Sequence, residues 1–334
     1  GLTVGAGAVN SQVQSLFLGP VTQEFHWTRG QYFIVSIPAT MLGAVVMPLL
    51  GTAADRWGIR TVHIPGIIAY GLMTMALVFL TGDMTQYLIF MLAHSAFAMW
   101  QSPPLYAKAT SAWADKRRGL ALAICMAGNG VGNFMTPPIC AWLISNYGWR
   151  GGRIGMGLLV ILVAVPAVYF FIKEPPKRDD RADFVAAREG MTGREAVATP
   201  TFWILLLITF LTGGATVGIT ANLVTMLRDN GIEMATGAWI LSGIAIGQTA
   251  GRFLFGWLLD KYPTPKVGAL MILCVIAGIA LLFVSTDALG LGVGALLHGV
   301  GGGVELCHGG FQNFLNGQRS LRGLHPAALD GEVK

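Results

Sequence analysis

Arg252 stands near the end of Gly243-Ile244-Ala245-Ile246-Gly247-Gln248-Thr249-Ala250-Gly251-Arg252, about two helical turns before an apolar run breaks into charge. A guanidinium at membrane depth costs about 2.5–3.5 kcal/mol on insertion scales, so it marks either a function or a compensating partner. Its planar fork can hold a carboxylate through two parallel hydrogen bonds. Gln248, one turn earlier, adds an amide to the same face. The competing reading is that Arg252 snorkels to the interface and pairs with Asp260. Asn10 and Gln14, four residues apart, share a face that can contact substrate, and Asn129 and Asn133 do likewise. Thr216 belongs to a line of Thr209, Thr212, Thr216 and Thr220 that suits either a cavity wall or helix packing. His94 reads as a titratable group or as a hydrogen-bonded contact between helices.

The elements that carry these residues are membrane spans. With 54% hydrophobic and 12% charged residues, the chain lies far from the soluble range of roughly a quarter charged. Apolar runs long enough to cross about 30 Å of hydrocarbon recur at 31–50, 62–81, 86–106, 119–144, 152–172, 201–227, 236–259, 267–285 and 288–311. A shorter run from Gly1 to Leu18 reads as part of a further span. Residues in these runs are apolar all round rather than alternating, so helices are expected and barrel strands are not.

Basic residues give the orientation. The side of the 51–61 loop carries Arg56, Arg60, Lys108, Lys116, Arg117, Arg118, Lys261, Lys266 and six more between 173 and 194. The opposite side carries only Arg29, Arg150, Arg153 and Arg228. The positive-inside rule therefore places the first side in the cytoplasm, and the plasma (inner) membrane is the expected location. The same bias accounts for a pI of 9.1 without nucleic acid. Cys125, Cys140, Cys274 and Cys307 all lie within spans and form no C-x-x-C pair, so neither a disulfide framework nor a metal site is expected.

The spacing Gly51-x-x-x-Asp55-Arg56-x-Gly58-x-Arg60 returns 205 positions later as Gly256-x-x-x-Asp260-Lys261, each time at the end of an apolar run. A polar stretch at 173–200 contains Glu174-Pro175-Pro176-Lys177-Arg178 and divides six spans from the rest. The expected organisation is a first bundle at 1–172, a cytoplasmic linker at 173–200, a second bundle at 201–312 and a polar tail at 313–334. Parallel repeats of this kind suit a secondary transporter with its site between bundles.

The 51–60 loop resembles the signature of the major facilitator superfamily. That resemblance implies an all-α membrane protein of two six-helix bundles related by a pseudo-twofold axis, here about ten helices with the last two missing. In the family the loop glycine lets helices approach, and its charges cap helix ends and favour one transport state. Gly51, Asp55, Arg56, Arg60, Gly256, Asp260 and Lys261 are accordingly expected to act in conformational gating rather than on substrate.

Lys116-Arg117-Arg118-Gly119-Leu120-Ala121-Leu122-Ala123-Ile124-Cys125-Met126-Ala127-Gly128 is similar to a signature of monocarboxylate transporters, with Cys125 in place of the usual Ala. In those proteins, and in oxalate/formate antiporters, an Arg at the place of Arg252 binds the substrate carboxylate. The proton-coupled members carry Asp where this chain has Gln248. A proton-coupled cycle here would fall to Glu305, in the Gly-rich stretch His298-Gly299-Val300-Gly301-Gly302-Gly303-Val304-Glu305, which otherwise pairs structurally with Arg252.

The chain ends in Arg319-Ser320-Leu321-Arg322-Gly323-Leu324-His325 without another apolar span, and it lacks an initiator Met. These features read as a truncated or frameshifted product. The expected function is alternating-access transport of a monocarboxylate or similar organic anion, with protons as a possible co-substrate and the bilayer as solvent. The alternative is a non-transporting relic or regulatory membrane protein. No H-E-x-x-H, G-x-S-x-G or P-loop supports an enzyme, and no cofactor is expected.

Overall fold

The computed structural model describes residues 13–102, 106, 118–171, 197–262 and 264–302, and the regular structure among them is helical. Helix α1 spans Gln14–Phe25. The expected end near Leu18 is thus too early. Leu16, Phe17, Leu18 and Val21 are almost fully buried, and this packing carries the helix past Pro20. The Thr22 hydroxyl donates to the Leu18 carbonyl at 2.7 Å in the same turn.

A short helix α2 (Arg29–Ile34) opens with a capping box, in which Thr28 and Gln31 satisfy each other's backbone N–H groups. Helix α3 (Ser36–Trp57) follows and carries the first loop motif at its end. Gly58 alone separates it from α4 (Ile59–Ala76). With φ 86° and ψ 148°, Gly58 holds a backbone conformation that a Cβ would oppose. The next helix, α5 (Met84–Ala98), starts on Asp83, whose carboxylate accepts from Thr85 N and Gln86 N.

Helix α6 (Arg118–Leu159) consists of two limbs, broken where Gly148 takes φ 69°. A Cβ on Gly152 would lie 2.8 Å from Ile144 Cγ1, and one on Gly155 would lie 2.7 Å from Leu143 Cδ1. Over 12 residues a straight helix advances about 18 Å, so the second limb must fold back on the first. The two spans expected here therefore meet at one glycine rather than through a loop. A π-helical turn at Val160–Ala164 leads into α7 (Val165–Phe171).

The second half begins with α8 (Pro200–Asp229), capped by the Thr199 hydroxyl and started by proline. Helices α9 (Met234–Lys261), α10 (Thr264–Val284) and α11 (Ala288–Gly302) complete the described chain. Among the described residues four stretches are long and apolar enough to cross a membrane: Arg29–Ala54, Ile59–Phe79, Gly128–Phe170 and Lys266–Val284. The third has 43 residues, enough for two crossings at about 1.5 Å per residue.

The helices run alternately between two ends of the molecule. One end holds the loop motifs and the α3–α4 joint. The other, called here the far end, holds the α1–α2 joint, Gly148 and the C-terminus of α8. The two halves meet along α1 against α8 and α6 against α9. The Thr225 hydroxyl donates to the Ser15 carbonyl at 3.3 Å in the first contact, and Ser242 donates to the Phe134 carbonyl at 2.7 Å in the second. Gly130 faces Thr249 so closely that a Cβ would overlap its hydroxyl.

Candidate functional site

Helix α9 sorts its residues into four faces at about 100° per residue. Ile246, Phe253 and Trp257 are 47%, 63% and 52% exposed and form an apolar outer face. Gly247 and Gly251 sit against α11, where a Cβ on either would overlap the backbone carbonyls of Leu296 or Val300. From the other side Gly299 of α11 is pressed on the Ile244 carbonyl. Ser242 and Thr249 face α6. Gln248 then lies opposite the apolar face, 8% exposed, and the half-buried Arg252 lies one turn further on, toward the side of α6. The guanidinium and the amide therefore share an interior face of α9, turned away from lipid.

Thr216 is buried on α8, where a Cβ on Gly302 at the end of α11 would lie 3.4 Å from its hydroxyl oxygen. Thr220, one turn on, is also buried, but its hydroxyl is spent on the Thr216 carbonyl at 2.8 Å. Gln14 opens α1 and is half-buried, next to the Ser15 carbonyl that joins α8. Asn10 and Glu305 lie outside the described residues. His94 is buried with Nε2 3.1 Å from the Thr74 hydroxyl, which makes it a helix–helix contact between α4 and α5.

The gating candidates close α3 and α9. Arg56 and Lys261 are exposed, and the Lys261 ammonium rests over the Trp257 ring at 4.1 Å. Arg60 stands over the Tyr169 ring at 4.3 Å and so ties the start of α4 to α7. Among the described residues a Cβ on Gly51 meets nothing within 4 Å, so the close helix approach expected there is not made by any of them. Asp55, Gly256 and Asp260 fall on these helices, and the two aspartate side chains lie outside the described atoms.

Two clusters escape a reading of the sequence. At the far end Glu24 accepts from Trp149 Nε1 at 2.5 Å and from Arg150 at 2.6 and 2.9 Å. Those bonds, Arg150 first and Trp149 second, hold the Glu24 carboxyl below its ordinary value. Arg29 of α2 reaches Asp229 of α8 at 2.5 Å, joining the two halves of the chain. The second cluster centres on Arg153, counted above among the loop charges of the far side. It is only 7% exposed, with its guanidinium 3.8 Å over the Phe17 ring. The fold-back at Gly148 is so tight that the fifth residue after it is already inside the bundle. Met156, Val160 and Ala164, fully buried at spacings of three and four from Arg153, were the signal for its inward face.

The sequence profile of the Major Facilitator Superfamily matches residues 2–316. Monocarboxylate transporter 13 of Rattus norvegicus is 28% identical over 236 residues, which are 70% of this chain and 53% of the rat protein. The gallate transporter of Pseudomonas putida is 26% identical over 333 residues, 90% of this chain and 72% of its own. A crystal structure of a bacterial homolog of the human lysosomal transporter Spinster, inward-facing and occupied, is similar with a TM-score of 0.71 over 91% of this chain and 71% of that one, at 20% identity. This chain thus spans about half the length of the rat relative, and its likeness to the solved structure is one of fold. A profile that runs through nearly all the helices, with relatives that are themselves transporters, establishes that the chain belongs to the Major Facilitator Superfamily.

Proposed function

We propose that the protein moves a small organic carboxylate across the membrane by alternating access, with Arg252 as the anion anchor and Gln248 beside it. The observation that carries this reading is the placement of both side chains on the interior face of α9, opposite its exposed apolar face. A guanidinium kept at that depth is costly unless an anion or a partner answers it, and a carboxylate can do so bidentately. Thr216 and Gln14 are the neutral hydrogen-bonding groups assigned to the same substrate, with Asn10 on the face of Gln14. Relatives that carry monocarboxylates or gallate, an aromatic carboxylate, support that chemical class. Glu305 is assigned the coupling proton. The organisation proposed is two bundles at 1–172 and 201–312, joined by 173–200 on the cytoplasmic face of the plasma (inner) membrane.

The test is uptake of labelled lactate, pyruvate, acetate, benzoate and gallate into vesicles containing the purified chain, with and without an imposed pH gradient. Arg252→Ala should lower uptake at least about tenfold, as expected for removing one partner of a buried charge pair. Arg252→Lys, which keeps the charge but not the fork, should lose most of it as well. Unchanged uptake in either variant, with normal insertion, removes Arg252 from the site. No uptake of any panel member by the unaltered chain would favour the non-transporting alternative. Uptake indifferent to the gradient would remove Glu305 from coupling.

A further inference from the structure

Arg153 poses a problem that the transport reading leaves open. It is 7% exposed, packed in the first half of the molecule, and its Nε makes no hydrogen bond. The acids of the described first half are Glu24, Asp55 and Asp83. Glu24 is held by Arg150 and Trp149, Asp83 caps α5, and Asp55 lies on α3 at the opposite end. Arg153 belongs to neither described ion pair. The Phe17 ring at 3.8 Å offers a cation–π contact, which recovers only part of the cost of burying an unpaired charge.

Among the described residues the neighbours of Arg153 are phenol and imidazole groups rather than carboxylates. Its charge is felt by Tyr32, Tyr70, Tyr87 and His94. The Tyr32 hydroxyl lies beside Arg153 and Tyr87, and the Tyr70 hydroxyl beside Thr74, yet neither reaches hydrogen-bond geometry. His94 spends Nε2 on Thr74 and has no partner at Nδ1. The Tyr70 and His94 rings lie 4.7 Å apart and the Tyr32 and Tyr87 rings 5.7 Å apart, so α2 and α4 both pack here on α5. One positive charge and two unspent phenol O–H groups, with no carboxylate among the described residues around them, form a donor set for an anion. Burial of this many unspent donors around one cation is otherwise hard to sustain.

We propose that Arg153, Tyr32 and Tyr70 hold a small monovalent anion inside the first bundle, either chloride or the carboxylate head of a small acid. This site is separate from Arg252 and does not depend on the transport reading. The occupant completes the charge of Arg153 and ties α1, through Phe17, to α2, α4 and α6.

The test uses the full chain, purified in detergent with gluconate as the bulky reference anion, in an Arg252→Ala background so that the two sites are not confused. Retention of [36Cl]chloride and of [14C]acetate is measured at equilibrium, and thermal unfolding is followed as each anion replaces gluconate. Saturable retention and a rise in apparent Tm with anion are expected. In Arg153→Met retention should fall at least about tenfold, and Tyr32→Phe and Tyr70→Phe should each weaken it. Displacement of chloride by acetate would show that a carboxylate head occupies the site, whereas retention of chloride alone would identify the halide as occupant. Absence of retention for both anions in the Arg252→Ala background overturns the proposal, as does equal retention in Arg153→Met. If Arg153→Met does not fold, unaltered retention in both tyrosine variants overturns it instead.

Discussion

Glu24 joins two donors of the second α6 limb to the end of α1, and its worth depends on its charge. Arg150 and Trp149 hold its carboxyl below the ordinary value of 4.5. A carboxylate with a depressed folded pKa contributes stability that is full above its unfolded value and fades as the pH falls through the folded one. Both partners are about 40% exposed, so the contribution is that of a surface pair, about 0.2–1 kcal/mol. Glu24→Gln should therefore lower thermal stability slightly at neutral pH, and the gap to the unaltered chain should close as the pH drops below 4.5. Unfolding scans in detergent between neutral and acid pH measure this, and a gap that persists in acid would mean packing rather than charge. Glu24 was illegible as a site residue because nothing in its sequence neighbourhood names Trp149 or Arg150, which meet it across 125 residues. Arg252, by contrast, announces itself as a lone charge in an apolar run, and the structure puts it on an interior face.

At the scale of elements, the α9–α11 contact is made by glycines, and the alternatives at those positions are steric. A Cβ on Gly251 would overlap the Val300 carbonyl, and α11 cannot yield without losing its own packing on α10, where Gly278 is pressed on His298. Among the described residues nothing lies within 4 Å of a Cβ on Gly268 of α10. Gly251→Leu should thus abolish folded yield or lower apparent Tm by many degrees, while Gly268→Ala should be neutral or slightly stabilising, by up to about 1 kcal/mol from helix propensity. Size-exclusion profiles and unfolding scans of the pair decide it, and equal behaviour of the two would show that backbone contact is not what the Gly247/Gly251 stripe is for. The stripe was readable from its spacing of four. The limits of helices were less so. Polar Gln23 and Glu24 masked the last turns of α1, and a loop was expected where Gly148 alone reverses the chain, since a one-residue reversal leaves no cluster of turn residues to read.

For the whole molecule the decisive contacts are those between its two halves. The repeated loop motif made the two-bundle fold legible, because one unit at the ends of α3 and α9 implies one architecture used twice. It could not show which helices meet across the interface, since that depends on single pairs such as Ser242 with the Phe134 carbonyl. Among the described residues, Arg29–Asp229 is the cross-bundle ion pair, and it lies at the far end with both side chains about half exposed. In the alternating-access cycle proposed above this end has to open, so the pair has to be weak enough to break each time. An exposed pair worth up to about 1 kcal/mol biases the closed form by about fivefold, enough to set a population without locking it. Arg29→Asp places two like charges there and should raise labelling of a Thr225→Cys reporter on α8 by a membrane-impermeant maleimide severalfold. The swap Arg29→Asp with Asp229→Arg should bring labelling back toward the original rate. Labelling that ignores both changes would mean that the far end is held by the apolar seam of α1 and α8, and that the ion pair only decorates it.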